Sequence, residues 1–225
     1  MKSDNSFKHT DHSGNETIAI PESYSRIPPA RLEEFQLPEG STGYEIATEN
    51  ATGLVVCFPV SYEESMPLDS PDSLVDFLHN SMNENQGIIE VKNGKCSNGG
   101  RYVYYILKYR REQDDLPDIV GYQLNFNFEV GNTVYFISGS FEEEGITGQR
   151  DSIGLMILLN AKEKAGEPAD MQTVLETEWF EDPYDLDYKQ GFLMNRSESP
   201  EFDSVFPAHA LSVARALVGF VIDNN

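Results

Sequence analysis

The chain has 225 residues, with 16 Lys and Arg against 38 Asp and Glu, a formal net charge of −22. A hydrophobic content of 39%, with 13 Phe and 11 Tyr, is too apolar for a disordered chain, and the length suits one ample core or a domain with an extension. That charge disfavours nucleic acid and anionic membranes, which bind through Lys and Arg, and no run nears the ~18 apolar residues of a spanning helix.

The start, Met1-Lys2-Ser3-Asp4-Asn5-Ser6, leads into polar residues without an apolar leader segment, so a cytoplasmic setting is expected. Residues 1–42 read as a partly flexible arm. Pro21, Pro28, Pro29 and Pro38 interrupt it, and Ile18, Ile20, Ile27, Leu32 and Phe35 are its candidate docking points.

From Gly43 the texture changes. Tyr44 to Ala47 and Gly53 to Pro59 read as two strands joined by a tight connection. Ser70-Pro71-Asp72 announces a helix with Ser at the N-cap and Pro at its first position. Leu74, Phe77, Leu78 and Met82 form its apolar stripe, and Gly87 is its expected stop. Ile88 to Val91 and Arg101 to Arg111 are further strands.

Tyr122 to Val130 and Thr133 to Phe141 flank Gly131-Asn132, the signature of a two-residue type II′ hairpin. That turn pairs Val130 with Thr133, Phe128 with Tyr135, Phe126 with Ile137, Leu124 with Gly139 and Tyr122 with Phe141 on the core face. The other face then holds Gln123, Asn125, Asn127 and Glu129 against Ser140, Ser138, Phe136 and Val134. It is either a solvated sheet face or the floor of a polar groove.

Asp151 to Lys164, apolar nearly all round, is expected to be a buried helix. Its length and charged ends favour helix over strand, though so short an apolar run is compatible with either. Residues 167–225 form an acidic, aromatic extension that ends in a helix from Pro207, with Leu211, Ala214, Leu217, Val218, Val221 and Ile222 on one stripe.

Two short strands, a helix opened by Ser-Pro, antiparallel strands ending in a long hairpin, then another helix: this order resembles the PsbP-like fold. The likeness covers about residues 43–164 and includes Gly53-Leu54-Val55-Val56-Cys57-Phe58-Pro59 before the helix. It implies a non-enzymatic binding or assembly role, and it carries over no functional residue. The chain departs from the pattern in lacking a Trp after the first strands and in its C-terminal extension.

Chemistry is sparse. No Gly-x-Ser-x-Gly elbow, Gly-x-Gly-x-x-Gly or P-loop occurs, and no motif calls for a cofactor. His79 and His209, the histidines beyond the arm, suit helix surfaces better than general-base roles. A Cys57/His79 dyad would need the thiol out of its strand core. Cys57 and Cys96 are expected to be free thiols, since a Cys57–Cys96 disulfide does not suit a reduced cytosol. Asp182, Asp185 and Asp187 could supply hard oxygen ligands, but the spacing misses the EF-hand loop, and a solvated acidic turn is the simpler reading.

The clearest local feature is a reversal of charge. Lys92, Lys95, Arg101, Lys108, Arg110 and Arg111 are interleaved with Tyr102, Tyr104, Tyr105 and Tyr109, the residue types that interfaces favour. Arg101, Tyr102, Tyr104, Lys108, Tyr109 and Arg110 are therefore candidate partner contacts, unless these cations pair internally with the acidic extension. Asn125, Asn127, Ser138 and Ser140 are the candidate polar face.

The expectation is an α+β protein: an antiparallel sheet packed by helices, with an arm (1–42), a sheet domain (43–166) and the extension (167–225) on the same domain. Function is expected to be non-catalytic binding of a protein partner. The alternatives are a carboxylate-based hydrolase, with or without a divalent metal, and a homodimer joined around Trp179 and Phe192.

Overall fold

A computed structural model describes the backbone at residues 6–10, 16–113, 118–145 and 148–225, and side chains from residue 18 onward within those ranges. In chain order its elements begin with β1 (Ser6–Thr10), β2 (Glu16–Pro21), β3 (Ser25–Arg26), α1 (Pro29–Leu32), β4 (Thr42–Ala47), β5 (Ala51–Val60) and α2 (Pro71–Ser81). Then follow β6 (Gln86–Lys95), β7 (Arg101–Arg111), β8 (Ile119–Val130), β9 (Thr133–Glu143) and α3 (Gln149–Ala165). The extension supplies α4 (Met171–Thr177), β10 (Phe180–Glu181), β11 (Met194–Asn195) and α5 (Ala210–Asn224).

Seven strands form one antiparallel sheet in the order β3-β4-β5-β9-β8-β7-β6. The fold is α+β. The central hairpin turns at Gly131, whose φ of 61° supplies the positive value that a II′ turn needs at its first position. Phe126 accordingly pairs with Ile137 and Asn127 with Phe136, the register expected from the turn.

Alternation then gives the sheet two unlike faces. On the first, Tyr122, Leu124, Phe126, Phe128, Ile137 and Val55 meet Leu211, Ala214, Leu217 and Val218 of α5, with Ile18 and Ile20 of β2. Each Val, Leu, Ile or Phe among them, where fully buried, contributes roughly 1.5–3 kcal/mol. His209 caps α5, its Nδ1 accepting from the Leu211 backbone N–H at 3.2 Å. Of the arm's candidate docking points, Ile18, Ile20, Ile27 and Leu32 are buried while Phe35 is exposed.

On the second face, α2 covers only one edge, with Leu74, Val75 and Leu78 on Ile88, Val91, Val103 and Leu107. Phe77 is not part of the stripe. At 100° per residue it points away from the 74/75/78 face, and it is 62% exposed. Gly87 does not stop this helix, which ends at Ser81; it sits in β6 where the Phe192 carbonyl leaves no room for a Cβ. Ser70 holds the N-cap position, but its Oγ accepts from Ser73 Oγ rather than from the backbone.

The segment expected as a buried helix is a helix but not buried. In α3, Arg150 and Gly154 are buried, while Met156 and Ile157 are 60% and 43% exposed. Its close approach is through Gly154 to Ser197. Trp179 and Phe192 are not themselves surface aromatics, although Phe180, Tyr184 and Leu186 between them are exposed. Trp179 is buried, and the half-buried Phe192 ring lies under Lys108 Nζ at 4.0 Å.

Candidate binding face

The Tyr/Arg strand is largely turned inward. Tyr104 is buried, its hydroxyl donating to Glu90 at 3.3 Å. Lys108, also buried, pairs with Glu198 at 3.0 Å, as the internal-pairing reading anticipated. Neither can meet a partner. Tyr102 packs partly buried against the first-face core, and Arg110 bonds Asn85 at 3.1 Å beside the Phe192 ring. Tyr109 leans across Gly121 and donates to Glu142 at 2.9 Å. The physical reason is alternation: 102, 104, 106 and 108 lie on the face that α5 and the extension seal.

Asp182, Asp185 and Asp187 do not form a metal cage. Asp182 accepts from the backbone N–H groups of Tyr184 and Asp185, both at 2.9 Å, and bonds His79 Nε2 at 3.0 Å; Asp185 accepts from Asp187 N–H at 2.9 Å. The spacing thus builds successive carboxylate-capped turns. Among the described residues, no three His, Cys, Asp or Glu side chains gather as metal ligands. Glu142, Glu143 and Glu144 likewise diverge, to Tyr109, His209 and Thr52.

Catalytic dyads fare no better. Cys57 packs in the first-face core while His79 rides on α2 over the second, so the sheet separates them. Burial pushes the Cys57 thiol up, and burial with the Glu129 charge takes Cys96 up to about 11; both are free thiols. The hollow beside His209, Glu143 and Arg150 holds about 20 Å³, room for a water rather than a substrate.

What remains open is the second face over β5, β9 and β8. Leu54 is 37% exposed, Val56, Phe58, Phe136 and Ser138 are half-buried, and Ser140 is exposed. Asn125 and Asn127 form its floor and are buried. Two hollows lie along it. One, about 660 Å³, is bounded by Leu54, Ser140, Thr52, Glu45, Arg31 and Glu142. The other, about 430 Å³, is bounded by Phe58, Phe136, Tyr105, Met66, Pro38 and Asn127. Leu54 and Phe58, which border one hollow each, are four residues apart on one strand face and so stand roughly 13 Å apart.

Sequence reasoning located the polar floor but missed the apolar wall, because Phe58, Met66 and Pro38 come from three separate segments. The available signal was Phe58 alternating with the core-facing Cys57, which places Phe58 on the amide side.

At the end of this face Glu129 is clamped. Arg101 donates from its side chain to Oε1 at 2.6 Å and from its backbone N–H to Oε2 at 2.8 Å, and Tyr62 adds a bond at 3.1 Å. Against the opposing effect of burial, these bonds hold the carboxyl down to about 2. Because that lies below the ordinary glutamate value of ~4.3, the clamp stabilises the fold fully above that value and is lost as pH falls towards 2. We expect urea midpoints of wild type and Arg101→Gln to differ at pH 7 and to converge as pH falls from 5 to 2.5. A pH-independent difference would show that the ion pair is not the cause.

No sequence profile of a known protein family matches the chain, and no curated protein matches it. Among solved structures the chain is similar to the Ran-binding protein Mog1p of Saccharomyces cerevisiae, at 14% sequence identity and a TM-score of 0.35, with 76% of this chain and 89% of Mog1p covered. No helix among the described residues is long and apolar enough to cross a membrane.

Proposed function

We propose that the protein is a non-catalytic binding or accessory protein of the cytoplasm that engages a protein partner through the open face of β5, β9 and β8. One observation carries this reading. A helix seals the first face, whereas the second leaves Leu54, Val56, Phe58 and Phe136 at least partly exposed beside buried amides. A contiguous apolar patch rimmed by polar groups is what association surfaces present. The PsbP-like order of elements agrees with a binding role. The hydrolase reading lacks support, since the carboxylates are dispersed among separate structural partners.

The test is affinity capture from the source lysate with wild type and the double variant Leu54→Arg/Ser138→Arg, both positions reaching the surface of the open face. The expected result is a partner held by wild type and lost by the variant, while Arg110→Glu, exposed at the end of β7 away from this face, still holds it. Retention by the double variant would exclude this face, and recovery of the chain alone would favour self-association.

A further inference from the structure

The hollow over Asn127 contains a group that the fold leaves unsatisfied. Asn127 is 1% exposed, and its Nδ2 has no hydrogen-bond partner among the described residues. A buried amide donor normally finds an acceptor, and the site that lacks one here borders an apolar hollow of about 430 Å³. Around it Phe58 and Phe136 meet edge to face at 5.3 Å, so two aromatic walls stand over one donor.

The charged side chain that lines this hollow is acidic, Glu64, whereas the second hollow mixes Arg31 with Glu45 and Glu142. Between Leu32 and Val91, the stretch that supplies Pro38, Phe58 and Met66, every charged side chain apart from His79 is Asp or Glu. Glu64 lines the hollow and is held by Ser61, at 2.7 Å, while Glu39 and Glu63, the chain neighbours of the lining residues Pro38 and Glu64, are exposed with no ion pair among the described residues. An anionic ligand would be repelled, and a cationic one would find uncommitted carboxylates. The hollow is also not a closed chamber, and the second hollow, at Leu54 and Ser140, opens further along the same two strands; two openings along one strand pair suit an extended chain better than a compact molecule.

We propose that this hollow is the anchor site for a basic, extended segment of a partner polypeptide. The segment seats one large apolar side chain against Phe58, Phe136, Tyr105 and Met66 and places a backbone carbonyl oxygen on Asn127 Nδ2. Lys or Arg residues flanking the anchor face Glu39, Glu63 and Glu64. This rests on the reading of the open face as a protein-binding surface and adds the chemistry of what it binds.

The probe is an array of seven-residue peptides with Phe, Leu or Ala at the centre and Lys/Arg or Glu flanks, followed by fluorescence-anisotropy titration of the basic Phe-centred peptide. We expect that peptide to bind and the Ala-centred one to bind at least tenfold more weakly. Glu63→Lys/Glu64→Lys should abolish binding. Asn127→Leu should weaken it about fivefold, the worth of one hydrogen bond, without lowering the thermal midpoint, because it removes an unpaired donor. That combination separates a lost contact from a lost fold.

No binding by the Phe-centred peptide, or an unchanged affinity in Asn127→Leu, would overturn the proposal. So would equal binding of N-acetyl-phenylalanine amide, which would mark a small-ligand site. If Leu54→Arg/Ser138→Arg abolishes capture of the cellular partner while the Asn127 and Glu63/Glu64 variants leave it intact, the face stands and this anchor falls. If none of them affects capture, both fall.

Discussion

Lys108→Met is expected to lower stability by about 3–5 kcal/mol, the range for removing one member of a buried ion pair. Lys108 and Glu198 are 2% and 0% exposed at their side chains, 3.0 Å apart. The Glu198 carboxylate also accepts from Tyr122 Oη–H and from the Asn195 backbone N–H, both at 2.7 Å. Removing the ammonium leaves that carboxylate buried without a countercharge. Adding Glu198→Gln should recover part of the loss, because the glutamine keeps an acceptor for Asn195 and no longer buries a charge. Urea denaturation followed by Trp179, the only tryptophan, reads this directly, since Trp179 is buried in the same extension. A loss below 1 kcal/mol would mean the pair does not hold the extension to the sheet.

Arg150→Met should cost about 3 kcal/mol, for a related reason. The Arg150 guanidinium donates to the Ser197 carbonyl at 2.7 Å, Ser212 Oγ at 2.8 Å, Asp203 Oδ1 at 2.9 Å and the Ser199 carbonyl at 3.2 Å. It joins α3, the 197–203 segment and α5 at one point. Because α3 buries little apolar surface, it is tethered by polar contacts, this one and the Asp151 carboxylate, which accepts from Asn195 Nδ2 at 3.0 Å and Ser197 Oγ at 2.8 Å. Arg150→Lys should rescue less than half of the loss, since an ammonium cannot reproduce four donors in a planar fork. The check is the same denaturation with proteolysis at α3 as a second readout. Full rescue by Lys would show that charge alone suffices.

These two pins mark where the sequence was hard to read. The Gly131-Asn132 turn dictates its register locally, so nine of the hairpin's pairs and the common face of Asn125 and Asn127 follow from the turn and alternation alone. The α5 stripe was equally legible, because one apolar face must find a sheet. By contrast, Lys108 and Glu198 are separated by 90 residues, and no local pattern links a lysine among tyrosines to a glutamate in a 3-10 turn. Length and charged ends point to a helix at α3, but an all-round apolar pattern does not say whether the chain supplies anything to cover it. A homodimer joined around Trp179 and Phe192 would need both rings at the surface, and the acidic sequence around them does not say which way they face. They are instead the apolar underside of a segment whose carboxylates cap its own turns.

The same contrast explains the candidate face. Sealing the first face consumes α5, β2 and the inward cations of β7, so Tyr104 and Lys108 are unavailable to a partner. On the second face α2 reaches only β6 and β7. The uncovered strands carry amides beneath and aromatics beside them, an arrangement that neither buries itself nor presents a plain solvated surface.

Hydroxyl-radical footprinting of the free protein and of its complex with the captured partner tests this account most directly. The account predicts that Leu54, Phe58, Met66 and Phe136 are labelled in the free protein and protected in the complex, while Phe77 and Met156, exposed elsewhere, stay labelled. Protection of Met156 and Met171 with the β5 and β9 side chains unchanged would contradict it and move the contact to α3 and α4.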